Sequence, residues 1–167
     1  YPDCYVATED WAKAVDPLLG LQERMTISRQ IDKLPVGAPL PADCRKLWEL
    51  TARTCARVAL TMPAGEARKD KAERACALLR RLLEEAGVED ANYWDLLLDA
   101  MRAHALAGNY GAAKDTVHSL FVTYPEMGGQ KDRFIQAARE LAQVEPAFAP
   151  KSEEILAELT GDAGDAK

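Results

Sequence analysis

The sequence predicts an all-α protein of stacked antiparallel helical hairpins, with about seven helices. Apolar residues recur three and four positions apart over long stretches, which is the period of one buried helix face. Proline or glycine interrupts this pattern about once per helix length, as expected where helices end. No segment sustains the two-residue alternation of a half-buried strand, so no sheet is predicted.

The first part of the chain is predicted to hold two short helical segments. Thr8 is a candidate N-cap for the first of them, which carries Trp11 and Val15. Asp16 followed by Pro17 has the order of an N-cap and a first helical position, so a second segment is expected to start there. That second segment is predicted to run to about residue 33.

The next stretch, residues 34–41, holds three prolines in eight residues. Proline lacks a backbone N–H and disfavours helix at the residue before it, so this stretch is predicted to be extended. A linker is the favoured interpretation. An arm that lies on a partner is the alternative.

The remaining helices follow from the positions of glycine and proline. They are predicted over 42–62, 66–86, 92–107, 110–123, 131–144 and 152–159. Leu79, Leu82, Leu97 and Met101 are expected to form a shared apolar seam. Ala75, Gly108 and Ala113 are small, as required where two helices approach closely. Residues 1–160 are therefore predicted to form one helical-repeat domain, and residues 161–167 a flexible tail.

Composition narrows the class of protein. Of the 167 residues, 48% are hydrophobic and 29% are charged, which is typical of a globular chain. No apolar run approaches the roughly 20 residues that cross a bilayer, so no membrane insertion is expected. The chain begins at Tyr1 without a methionine, so we expect a targeting segment to have been removed already. An organelle or a secretory destination is compatible with that expectation.

The cysteines are interpreted mainly as small core residues. Cys44 and Cys55 share a helix face but lie about 16 Å apart along the axis, too far to bond. Cys55 and Cys76 fall on adjacent predicted helices and could be neighbours. A disulfide scaffold of a secreted protein is the minor alternative.

Signals for catalysis are scarce. The chain has no glycine-rich dinucleotide motif and no phosphate-binding loop. Its two histidines, His104 and His118, lack a second ligand at metal-binding spacing on their own helices. Asp95 and Asp99 lie four residues apart, a spacing typical of a solvated helix face. The sequence therefore predicts no catalytic, cofactor-binding or metal-binding residues, no cofactor, and no enzyme activity.

Charge is distributed unevenly along the chain. Residues 43–81 hold ten basic and five acidic side chains, whereas residues 82–167 hold seven basic and sixteen acidic ones. Because Arg45, Arg53 and Arg57 recur at multiples of four residues, they are expected to form one exposed row. A solvated helix face is one interpretation; a docking face for an acidic protein is the other. The candidate partner-binding residues are Arg45, Arg53, Arg57, Arg68, Lys69 and Arg74.

Two segments resemble known helical repeats. Residues 75–87 with Asp90, Tyr93 and the run 97–100 resemble the pentatricopeptide pattern, in which an alanine-rich helix ends near glycine. Residues 103–110 with Ala113 and Pro125 resemble the tetratricopeptide pattern. The interval between residues 100 and 108 is about four residues longer than the pentatricopeptide pattern allows. The resemblance covers residues 66–125, roughly a third of the chain.

Pentatricopeptide proteins usually bind single-stranded RNA, but few repeats and a net charge of −6 argue against a nucleic-acid partner here. A small, acidic, seven-helix chain with such repeats is similar to the 18-kilodalton accessory subunits on the catalytic head of mitochondrial ATP synthase in euglenozoan protists. That resemblance implies a non-catalytic structural subunit for ATP synthesis in the mitochondrial matrix, peripheral to the inner membrane. It also implies a protein partner, the alpha subunit of the complex. The alternative is a free-standing helical-repeat adaptor or an organellar RNA-binding factor.

Overall fold

The structure, a computed structural model, describes residues 10–161. Over these residues the chain forms seven α-helices and no strand. They are α1 (Trp11–Ser28), α2 (Ala42–Thr61), α3 (Glu66–Leu83), α4 (Tyr93–Leu106), α5 (Tyr110–Thr123), α6 (Lys131–Val144) and α7 (Ala149–Thr160). Short 3₁₀ turns occupy Ile31–Lys33, Met127–Gly129 and Pro146–Phe148. The predicted all-α class and the number of helices are confirmed.

The helices stack as hairpins around α4. Helices α2, α4 and α6 form one layer, because α4 packs against both α2 and α6. Helices α3, α5 and α7 lie in a second layer, with α3 and α5 packed on α4 and α7 packed on α5 and α6. Helix α1 covers α2. Within the second layer, α5 packs on α7. Helices α3 and α5, by contrast, make little contact with each other.

Helix α4 supplies side chains to both halves of the core. Leu97 and Met101 pack into an apolar cluster with α5, α6 and α7. Leu96 and Ala100 pack into a second cluster with α1, α2 and α3. The two clusters are therefore joined through one helix.

The small residues are fully buried where helices meet. Ala75 of α3 and Ala113 of α5 have no exposed surface, and each lies within one of the two apolar clusters. A larger side chain at either position would have to displace its neighbours.

The predicted break at Asp16 and Pro17 is wrong, since α1 continues through Pro17. Proline inside a helix removes one backbone hydrogen bond. Here Val15 before it and Leu18 after it are both buried. Packing on both sides of the proline therefore holds the two turns in one helix.

Other helix ends also differ from the prediction. Helix α1 stops at Ser28, because Gln30 takes a left-handed conformation (φ 52°) before the 3₁₀ turn at Ile31–Lys33. Helix α3 ends at Leu83 and not at residue 86. Helix α7 begins at Ala149, three residues before the predicted start, because Pro150 fits the first turn, where no N–H is needed. Thr8 and residues 162–167 of the predicted tail lie outside the described residues.

The proline-rich stretch is non-helical, as predicted, and it is fastened to α3. The backbone N–H of Leu40 donates to Oε1 of Glu85 at 2.9 Å, and the guanidinium of Arg81 donates to the carbonyl of Ala38. Leu40 is buried, whereas Val36, at the tip of a turn, is fully exposed. These contacts fit a structural linker held to the end of α3.

One glycine in the turn before α6 is required by its surroundings. Gly128 has φ 57°, and a Cβ there would lie 2.7 Å from the ring of Trp94.

We predict that Gly128→Ala lowers the free energy of unfolding by at least about 1–2 kcal/mol, the cost of a left-handed non-glycine residue. Gly111 is the matched control: it lies in α5 with open space around its Cα. Gly111→Ala should stabilise by about 0.5–1 kcal/mol. Urea unfolding of both variants measures this, and an unchanged midpoint for Gly128→Ala would contradict it.

Candidate functional site

The predicted basic row on α2 does not project freely into solvent. Arg45 lies 3.6 Å from Oδ2 of Asp90. Arg53 lies 3.5 Å from Oδ2 of Asp95 and 3.7 Å from Oδ2 of Asp99. Arg45 and Arg53 therefore face the acidic start of α4 and are paired within the chain. Sequence spacing could not reveal this, since the carboxylates lie more than 40 residues away and meet the row only in the folded chain.

Arg68 is buried, and its predicted place on an exposed docking face is wrong. The side chain of Arg68 is 5% exposed; Nη1 donates to the carbonyl of Val144 at 3.1 Å, and Nη2 pairs with the carboxylate of Glu145. Tyr110 donates its hydroxyl to Oε1 of the same carboxylate at 3.0 Å. These contacts tie the start of α3 to the end of α6 and the start of α5. Arg68 is thus a structural residue.

The other two predicted residues on α3 are exposed but paired. Lys69 lies 3.8 Å from Oε1 of Glu73, one helical turn away. Arg74 lies 3.0 Å from Oε1 of Glu23 on α1 and 3.3 Å from Oδ2 of Asp70. Exposed pairs of this kind are weak and can exchange for a partner's carboxylate. Both residues stay candidates for partner contact.

Arg57 is the one member of the predicted set for which no carboxylate lies within ion-pair distance among residues 10–161. Its guanidinium carbon sits 5.2 Å from the centre of the Trp11 ring. Arg102 of α4 and Arg133 of α6 line the same small depression of about 160 Å³. Sequence reasoning missed these two because they belong to the acidic part of the chain. No local pattern brings three arginines from three helices together.

A large concavity lies in the second layer of helices. It is a groove of about 590 Å³ between α3 and α5, at the step where these helices make little contact. Leu79 and Leu83 of α3 and Leu97 and Ala100 of α4 provide its apolar lining. Polar groups lie at its edges: Glu73, Arg80, Glu84, Asn109 and Thr116. The size and mainly apolar lining are those of a binding groove.

A thiol and an imidazole meet on the wall of this groove. Sγ of Cys76 lies 3.6 Å from Nδ1 of His104. Burial, reinforced by Glu73, raises the pKa of Cys76 to about 11, and burial lowers the pKa of His104 below its usual 6.5. Both groups are therefore uncharged near neutral pH. Since a nucleophilic cysteine must be a thiolate, this geometry does not activate the thiol.

Among residues 10–161, the cysteines and acidic residues form no metal site. Cys44, Cys55 and Cys76 are free thiols, as the core interpretation predicts, and Cys44 and Cys55 are buried. Within residues 10–161, no three cysteine, histidine or carboxylate side chains converge in a way that could hold a metal ion. No helix in the described part is long and apolar enough to cross a membrane.

Comparison with protein-family models, curated proteins and solved structures yields no match to this chain.

Two neighbouring residues on α3 separate structural from surface roles. Arg68→Met should lower the free energy of unfolding by about 1–3 kcal/mol, because it leaves the partly buried carboxylate of Glu145 without its cation. Lys69→Met removes an equal charge from an exposed pair and should change stability by less than about 0.5 kcal/mol. Chemical denaturation of the two variants compares them directly. Equal, small effects would contradict the structural role of Arg68.

Proposed function

We propose that this chain is a non-catalytic helical scaffold that binds another protein through the groove between α3 and α5. The observation that carries the proposal is the groove itself: it is apolar, about 590 Å³ in volume, and interrupts an otherwise continuous second layer of helices. The gap between α3 and α5 leaves apolar surface that a partner can cover.

The chemistry of the groove favours one face of an amphipathic helix as the occupant. The groove is open along one side, so a small molecule would leave part of its surface in water, whereas a helix would cover the opening with its own backbone. Half-buried Leu83 and exposed Ala77 offer apolar contacts to a helix, beside buried Leu79 and Leu97. Arg80, on the rim, has no carboxylate partner in the described part of the chain, so an acidic residue at the helix edge would complement it.

The specific partner follows from the resemblance over residues 66–125, the region that forms α3, α4 and α5 and hence the groove. In this proposal the chain is an accessory subunit of mitochondrial ATP synthase in the matrix, docked on the alpha subunit of the catalytic head. An RNA-binding role is less well supported. Affinity for nucleic acid depends heavily on neutralising phosphates, and the chain carries a net charge of −6.

Co-purification of tagged chain from euglenozoan mitochondria tests the proposal. Ala77 is exposed on α3 and lines the groove, whereas Ala67 is exposed on the same helix away from it. We predict that Ala77→Arg, which fills the groove with a charged side chain, reduces recovery of the alpha subunit at least tenfold. Ala67→Arg should recover as much as the unchanged chain. Arginine is a good helix former, so neither change should disturb α3.

The outcomes separate the general proposal from the specific one. Suppose that a protein other than the alpha subunit co-purifies with Ala67→Arg and is lost from Ala77→Arg. That result would support the scaffold role and contradict the assignment to ATP synthase. Full recovery of every partner with Ala77→Arg would reject the groove as the docking site.

A further inference from the structure

We propose a second binding site, for a carboxylate group of an acidic peptide, in the depression between α2, α4 and α6. Arg57, Arg102 and Arg133 line it, one from each helix. The site shares no lining residue with the groove and faces a different side of α4, so it does not depend on the proposed function.

The shape of the depression suits a small group. Its volume is about 160 Å³, and buried Leu98 and Ala137 form part of its lining. Gln136 and Glu140 complete the wall from α6, where the amide of Gln136 donates to Oε1 of Glu140 at 2.9 Å. A single carboxylate fits such a volume, whereas an extended ligand would remain outside.

The guanidinium groups are held in place before any ligand arrives. Arg102 lies 3.3 Å from Oδ1 of Asp99, and Arg133 lies 2.7 Å from Oδ1 of Asp95. Arg57 rests over the ring of Trp11. Each guanidinium carries five N–H donors, so one internal pair leaves donors for a second carboxylate.

The charge balance favours a monoanion. Four arginines surround the depression and its edge: Arg53, Arg57, Arg102 and Arg133. Three carboxylates face them: Asp95, Asp99 and Glu140. One positive charge is in excess, and Arg57 is the cation without a carboxylate at ion-pair distance among the described residues. A carboxylate neutralises that excess and suits the planar fork of arginine.

Glu140 is the internal competitor for the site. It lines the depression, and within residues 10–161 it has no cation at ion-pair distance. Its negative charge therefore opposes the entry of a second carboxylate. Removing that charge should strengthen binding, which is the opposite of removing Arg57.

The test is an NMR titration of the arginine Nε–Hε resonances of the intact ¹⁵N-labelled chain. The probe is the blocked peptide acetyl-Gly-Glu-Gly-amide, which carries one carboxylate, at low salt; the control probe has glutamine in place of glutamate. We expect saturable shifts at Arg57, Arg102 and Arg133 with the glutamate peptide alone. Arg57→Gln should weaken binding at least fivefold, and Glu140→Gln should tighten it by a factor of about two to five, the effect of one like charge near the surface.

The matched control is Arg24→Gln. Arg24 is an exposed α1 arginine without a carboxylate partner in the described part, about 20 Å along the helix from Trp11. If Arg24→Gln and Arg57→Gln weakened peptide binding equally, the loss would reflect net charge alone, and the site would be overturned. Similar shifts with the glutamine peptide, or tighter saturable binding of inorganic phosphate at the same arginines, would overturn the ligand class. If Arg57→Gln fails to fold, a Glu140→Gln variant that binds no more tightly also overturns the proposal.

Discussion

The structure depends on the burial of α4 on nearly every side. Residues 96–101 are buried without interruption, which in a helix covers all directions around the axis. Asp99 falls inside this run and is 3% exposed. Burial raises the pKa of its carboxyl, and Arg102, Arg53 and Arg57 act in the opposite direction by favouring the charged form. An ionised group at this depth is tolerated only when it is paired, and Asp99 pairs with Arg102 of its own helix and with Arg53 of α2.

The same central helix links the two proposed binding surfaces. On one side Leu97 and Ala100 line the groove between α3 and α5; on another Leu98 and Arg102 line the depression between α2 and α6. The pair of buried Arg68 and Glu145 joins the start of α3 to the end of α6. A scaffold of this kind presents rigid sites because their lining residues belong to helices held from both sides.

Local signals predicted most of the fold, whereas tertiary pairing decided the site. Helices α5 and α6 have their predicted bounds, since Tyr110 follows a glycine with φ 84° and Lys131 follows a glycine pair. The helix break predicted at Pro17 was wrong, because packing on both sides of a proline can keep a helix continuous. Arg68 was predicted to be exposed because arginine is rarely buried without a partner. Its partner, Glu145, comes 77 residues later in the sequence. The groove follows from how α3 and α5 are placed over α4, which no periodicity encodes.

Native-state hydrogen exchange tests most directly whether α4 is the element on which the structure depends. Amides of the most protected elements exchange only through global unfolding, whereas peripheral elements open locally at lower free energy. If α4 is that element, the amides of residues 97–106 exchange most slowly among the described residues, and those of α1 and α7 exchange faster. If the amides of α4 exchanged as fast as those of α1 or α7, the central role assigned to α4 would be contradicted.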